Sequence, residues 1–287
     1  MPEILGFIGM GIMGKPMTVN LLNAGYPVFI HSRRRESCRG VAGALVCDSP
    51  KAVAENANII FICVSDTSDV EQVILGEKGI IHGARPGMIV VDMSTIAADA
   101  TRKMASALSG RGFHMLDAPV SGGEKGAIQG TLSIMVGGKP EIFGRVKPYF
   151  ERMGKNIIHV GDHGAGQIAK ACNQIVVGGT IEAVAEALLL AEKTGVDGAK
   201  VREALMGGFA ASKILDVHGK RMLENDYEPG FKSKLHRKDM GIVMDTAEKA
   251  GIHLPAASLV AAHLDKVIAN GDGELDSAAI FKALKKP

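Results

Sequence analysis

The chain has 287 residues, 46% of them apolar, and a formal net charge of +2, enough for one large or two moderate domains with a sizeable core. That near-neutral charge gives no bulk reason to expect nucleic-acid or membrane binding, and no apolar run is read as long enough to span a bilayer. The N-terminus runs straight into an apolar strand without a basic leader, so a cytoplasmic location is expected.

The opening reads as strand, glycine turn and helix. Residues 4–8 form the strand, Gly9-Met10-Gly11-Ile12-Met13-Gly14 is a GxGxxG, and a helix follows over 14–23, stopped by Ala24-Gly25. In this fingerprint the first glycine permits a tight turn, the second lets a pyrophosphate approach the backbone, and the third packs helix on strand. Free amides at the helix start then attract phosphate. The run from Gly9 to Gly14 is therefore a candidate dinucleotide site. The next strand, 27–31, ends at Ser32-Arg33-Arg34-Arg35. NAD-binding units usually place a carboxylate there for the ribose hydroxyls, whereas guanidinium groups suit the 2′-phosphate of NADP. Ser32, Arg33 and Arg34 are the expected selectors, with NADP preferred and NAD the alternative.

Strands follow over 58–64 and 88–93, a helix over 101–109 and a strand over 113–116. Ligands bind outside the carboxyl ends of such strands, which nominates Val64, Ser65, Ser94 and Thr95 for the nicotinamide side. Cys63 lies inside the first of these strands and is read as a small apolar residue. Cys38, Cys47, Cys63 and Cys172 form no CxxC pair and have no histidine at ligand spacing, so no metal site is expected. In Asp117-Ala118-Pro119-Val120-Ser121-Gly122-Gly123, a hydroxyl and glycine amides at a strand end suit a carboxylate. Further strands over 132–136 and 156–160 flank a helix over 140–153.

From Gly164 to about Thr194 the pattern is one long apolar helix, on the order of 40 Å at the usual rise per residue. Gln167, Lys170, Asn173 and Gln174 share one face of it, a polar group costly to bury without a purpose. The rest reads as helices over 197–206, 212–224, 235–250, 256–270 and 276–285, with a loop at Pro229-Gly230-Phe231 and Lys238 at a helix start. The expected fold is α/β: a Rossmann-type doubly wound sheet over 1–163 and an all-α domain over 164–287, joined by the long helix. Apolar residues on more than one face of that helix, with the pair Gly178-Gly179, predict at least a homodimer, with a homotetramer as the larger alternative.

Gly9 to Gly14, Asp117 to Gly123, Gly164 to Asn173 and Lys238-Asp239, in this order, resemble the β-hydroxyacid dehydrogenase family over essentially the whole chain. The resemblance implies Lys170 as catalytic acid/base and Asn173 as the residue orienting substrate. It implies Ser121, Gly122 and Gly123 at the substrate carboxylate, and Thr95, Phe231 and Lys238 at the cofactor. The stretches Gly207-Gly208 with Leu215-Asp216, and Pro229-Gly230-Phe231 with Leu235-His236, point within the family to tartronate semialdehyde-type reduction. Oxidation of 3-hydroxyisobutyrate, 4-hydroxybutyrate or 2-(hydroxymethyl)glutarate is the alternative. Two departures stand out: Ser32, where reductases of that type often carry Asp, and Gln174, where many relatives have a second Asn.

Overall fold

The computed structural model describes residues 3–285 and divides into two units, the first ending at Lys170 and the second beginning at Ala171. In chain order the first contains β1 (Leu5–Ile8), α1 (Gly14–Asn23), β2 (Val28–His31), β3 (Leu45–Val46), α2 (Pro50–Asn56), β4 (Ile59–Ile62) and α3 (Thr67–Leu75). It continues through β5 (Ile89–Asp92), α4 (Ala98–Ser109), β6 (His114–Asp117), β7 (Val120–Ser121), α5 (Gly123–Gln129), β8 (Leu132–Gly137), α6 (Pro140–Met153) and β9 (Gly154–Gly161).

These strands make one nine-stranded sheet in the order β3-β2-β1-β4-β5-β6-β8-β7, with β9 beside β8. The pairs from β3 through β6 are parallel. Every residue of β1, β4 and β5 is buried, as parallel strands covered on both faces require. Alternate side chains feed two cores. Leu5, Phe7, Ile59, Phe61 and Val91 share one with Met17 and Leu21 of α1 and Phe150 of α6. Ile8, Ile60, Ile62 and Val90 share the other with Val53, Val70 and Met104 of α2, α3 and α4. The strand order reverses direction between β1 and β4, the switch point at which a doubly wound sheet binds its ligand.

The far edge departs from a purely parallel plan. β8 runs antiparallel to β6, and β7 antiparallel to β8. The elements α2, α3, α5, β3 and β7 are additions to the sequence-based outline, each being short. Local caps carry two of them: Ser49 Oγ accepts from the Ala52 amide, and Asp66 Oδ1 from the Asp69 amide. Cys63 falls one residue beyond β4 and is half-buried, not part of the strand as expected.

The long helix α7 (Ala165–Lys193) begins in the first unit and runs on into the second. The second unit adds α8 (Gly198–Met206), α9 (Lys213–Glu224), α10 (Ser233–Lys249), α11 (Pro255–Ala269) and α12 (Ile280–Leu284). Its core joins Ile181, Val184, Ala185 and Leu188 of α7 to Leu215, Met240, Val260, Leu264 and Phe281. A Cβ at Gly178 would lie 2.9 Å from Val260 Cγ1, so this glycine lets α7 and α11 pack closely.

Two expectations need correction. By length and composition alone α7 could cross a membrane, with a mean hydropathy of 1.6 over its most apolar window. Lys170, Asn173, Glu182 and Glu186 had masked this in the linear pattern, and 44% of that window is buried inside the protein. Lys238 does not begin a helix. α10 starts at Ser233, whose amide bonds to Leu275 O at 2.8 Å, so Lys238 stands in its second turn.

Candidate active site

The glycine turn is a product of exclusion. Gly9 has φ +105°, and a Cβ there would collide with Cys63 O. A Cβ on Gly14 would run into Gly9 O and lie 3.0 Å from Phe7 Cε1. At Gly11 the added carbon would meet nothing within 4 Å. The first and third glycines are thus demanded by the protein's own backbone, and the second borders open space. α1 carries no side-chain N-cap and no acid in its first turn, which leaves its amide end suited to phosphate. Among the side chains of this turn, Ile12 is half-exposed and available to a ligand, whereas Met10 is 3% exposed and belongs to the core. Any cofactor contact of Met10 is therefore through its backbone.

At the end of β2, Ser32 is half-buried and Arg34 is exposed. Arg33 Nη1 meets Asp69 Oδ1 at 2.9 Å while the Arg33 side chain stays 83% exposed. Arg35 is engaged by Asp48 at 2.6 Å. No carboxylate stands in the 32–35 segment itself.

The ends of β4 and β5 are joined to the glycine turn. Val64 Cγ1 lies 3.0 Å from the Cβ position of Gly9, and the Val64 amide donates to Ser94 Oγ at 3.0 Å. Ser65 is exposed and Thr95 half-buried. Thr95 sits between residues held by one buried amide: Gln167 Nε2 donates to Ser94 O at 2.9 Å, and Gln167 Oε1 accepts from the Ile96 amide at 3.1 Å. Asp117 at the end of β6 completes the anchor. Its carboxylate accepts from the amides of Gly164 at 2.8 Å and Gln167 at 3.0 Å, filling the orphan donors at the start of α7. Burial pushes the Asp117 carboxyl above the usual carboxylate range, and those amides pull it partly back. Gly166 has no room for a side chain, since a Cβ there would press on Met135 O and Asp117 O.

Lys170, in the second turn of α7, is only 7% exposed. Beyond Asp117 the chain leads to Ser121, at the end of β7, and to Gly122 and Gly123, which take φ +134° and +63°. Both glycines are exposed, and a Cβ at Gly123 would meet nothing within 4 Å. A Cβ at Gly122, by contrast, would lie 3.2 Å from Leu132 Cδ2.

In the second unit, Asn173, Gln174, Asp239 and Lys238 form a chain of polar contacts. Asn173 Nδ2 donates to Gln174 Oε1 at 2.8 Å, Gln174 Nε2 donates to Asp239 Oδ2 at 2.7 Å, and Lys238 Nζ meets Asp239 Oδ1 at 2.9 Å. Phe231 lies on a loop held by Asp276 Oδ2, which accepts from the amides of Gly230 and Phe231 at 3.0 Å and pairs with Arg221 at 2.9 Å. Asp117, Gln167, Asp239 and Asp276 went unassigned at the level of sequence. Except for Lys238 beside Asp239 and the Ala278 amide beside Asp276, their partners lie tens of positions away, and no spacing rule signals those.

Two family models match the chain. One, described as the NAD binding domain of 6-phosphogluconate dehydrogenase, covers residues 4–161. The other, described as NAD-binding of NADP-dependent 3-hydroxyisobutyrate dehydrogenase, covers residues 164–284. The chain is 46% identical to 2-hydroxy-3-oxopropionate reductase of Escherichia coli, over 98% of this chain and 97% of that protein. It is 34% identical to 2-(hydroxymethyl)glutarate dehydrogenase of Eubacterium barkeri, over 97% and 93%. Among solved structures, the 3-hydroxyisobutyrate dehydrogenase of Mycobacterium tuberculosis with L-serine superposes with a TM-score of 0.89 at 34% identity, over 99% and 100% of the two chains.

Proposed function

The chain belongs to the β-hydroxyacid dehydrogenase family, and on that premise we propose that it reduces a small carboxylated aldehyde of the 2-hydroxy-3-oxo acid type with NADPH, Lys170 being the general acid. It is an NAD(P)-dependent oxidoreductase by its family; the substrate, the preference for NADP and the residue roles are our proposal. One observation carries it. The first turn of α7, directly ahead of buried Lys170, is bonded through Gln167 to both sides of Thr95, and through Asp117 to the head of the Ser121-Gly122-Gly123 loop. The helix start that leads into Lys170 is thus tied both to the end of β5 and to the segment leading into the Ser121 loop, which supports an ammonium acting between cofactor and substrate.

The residues fit a nicotinamide dinucleotide, because the Gly11 position is open where a pyrophosphate would approach and Gly9 and Gly14 hold the turn. When bound, NADPH supplies the hydride. The amides of Gly122 and Gly123 and the Ser121 hydroxyl hold the substrate carboxylate, and Asn173 orients the reacting end. Lys170 Nζ stabilises the negative charge growing on the carbonyl oxygen and delivers its proton there. In the oxidative direction the neutral amine accepts the alcohol proton. Ser32, Arg33 and Arg34 bind the 2′-phosphate. Assembly as a homodimer or larger is supported by α7, where Val176 and Leu190 are 67% and 66% exposed and a Cβ at Gly179 would meet nothing within 4 Å. A monomer in sedimentation at micromolar concentration would overturn the assembly.

The test of the activity is turnover across C3–C6 semialdehydes with each nicotinamide cofactor. The 2-hydroxy-3-oxo acid with NADPH should give the highest kcat/KM. A higher value with 3-hydroxyisobutyrate and NAD would favour the oxidative alternative instead.

A further inference from the structure

The Asn173–Gln174–Asp239–Lys238 chain has a direction. The Asp239 carboxylate is 3% exposed and ion-paired with Lys238, so it offers only acceptors. Gln174, also 3% exposed, must therefore turn Nε2 toward Asp239 Oδ2, which lies 2.7 Å away. That leaves Gln174 Oε1, an acceptor, on the side of Asn173. Asn173 must answer with Nδ2, at 2.8 Å, so its Oδ1 is on the opposite edge of the amide. Oxygen and nitrogen of a side-chain amide are otherwise interchangeable in space, and only their partners decide between them. Here the decision is made at Asp239 and handed on through Gln174. Reversing it would force Gln174 to present an oxygen to a carboxylate, which low local dielectric makes costly.

We propose that Gln174 is a positioning residue that locks the amide of Asn173 with Oδ1 presented as an acceptor, so that the site favours substrates carrying a hydroxyl donor beside the reacting carbon. This deepens the proposed function and rests on its assignment of Asn173 to the substrate. The length of Gln174 matters, since a residue shorter by one methylene would have to leave Asn173 or Asp239 to stay bonded to the other. The departure from a second Asn at this position therefore has a consequence in substrate choice.

The experiment compares kcat/KM for a 2-hydroxy-3-oxo acid and for the same aldehyde lacking the 2-hydroxyl, in wild type, Gln174→Met, Asn173→Ala and the double variant. Methionine is close to glutamine in volume and removes both hydrogen bonds. Losing one orienting bond should lower kcat/KM for the hydroxylated substrate about 5- to 10-fold. The deoxy substrate should be nearly unaffected, so discrimination between the two collapses. In the Asn173→Ala background Gln174→Met should add no further loss of discrimination, because Gln174 acts through Asn173. Gln174→Asn, which keeps a polar group in the core, should fall between wild type and Gln174→Met. An equal loss on both substrates, or a parallel fall in NADPH affinity, would mark Gln174 as merely structural and overturn the proposal. So would an undiminished effect in the Asn173→Ala background. If Asn173→Ala alone leaves kcat/KM unchanged, the assignment of Asn173 to the substrate fails as well, which separates that outcome from a failure of the link alone.

Discussion

The glycine turn after β1 and the first turn of α7 both place functional groups, and they do so by opposite means. The turn holds its shape through what it excludes: backbone atoms of Gly9 and Cys63 stand where side chains would be. Its determinants lie within a few residues of one another or on the adjacent strand. The α7 turn is held by buried polar bonds whose partners are far away in sequence, Asp117 lying 47 residues before Gly164 and Ser94 73 residues before Gln167. The first kind of site tolerates no added volume. The second tolerates no lost partner, because a buried donor without an acceptor costs about 1–3 kcal/mol.

The sharpest break in this comparison is Lys170→Ala. It removes the proposed proton donor near the start of α7 without touching the glycine turn, so turnover should fall about a hundredfold to ten-thousandfold while NADPH affinity, read by nicotinamide fluorescence, holds. Lys170→Arg should also fail, since a guanidinium does not readily release its proton. Retention of more than about a tenth of turnover by the alanine variant, well short of that loss, would return Lys170 to a structural role.

Volume separates the glycines from one another. Gly14→Ala forces a carbon against Gly9 O and should lower the melting temperature of the free protein and abolish NADPH binding. Gly11→Ala has open space, so the free protein should melt as wild type does and only the cofactor affinity should drop. Equal destabilisation by both would refute the division of labour within the turn.

Asp117→Asn tests the polar anchor. An amide oxygen cannot replace both carboxylate acceptors, so the Gly164 or the Gln167 amide loses its partner, at about 1–3 kcal/mol in urea unfolding. The pH dependence has a defined sign. Burial raises the folded-state pKa of Asp117, so the folded protein holds this proton more tightly than the unfolded chain. Wild-type stability from this group is then greatest in acid and falls as pH rises from the ordinary carboxylate value through the raised folded value. The asparagine variant lacks that slope, so wild type should lose stability relative to it from acid toward neutral pH. A gain of wild type relative to the variant over that window would contradict burial as the leading influence.

The smallest effect is expected at the exposed edge. Ser32→Asp with Arg33→Ala should shift the ratio of kcat/KM for NADPH over NADH by about tenfold toward NADH, a charge effect blunted by solvent. Part of the Arg33 charge is already engaged by Asp69, which stays in place in this variant. A wild-type enzyme that uses NADH better than NADPH would overturn the selector role of these residues.

Much of this protein was determined by the sequence acting locally. Continuous apolar runs made β1, β4 and β5, because buried parallel strands need apolar residues on both faces. GxGxxG made the turn, and a long apolar run made α7, whose hydropathy is bilayer-like despite its polar residues. The short helices α2, α3 and α5 were beyond such patterns, being too brief to show a period. Tertiary structure alone decided that Met10 turns inward, that α10 begins at Ser233, and that Gln167 and Gln174, on the same helix as Lys170, serve different partners. The reason is physical. Steric and periodic constraints act between near neighbours and leave a trace in the order of residues, whereas a buried hydrogen bond is chosen by whichever partner folding brings within about 3 Å.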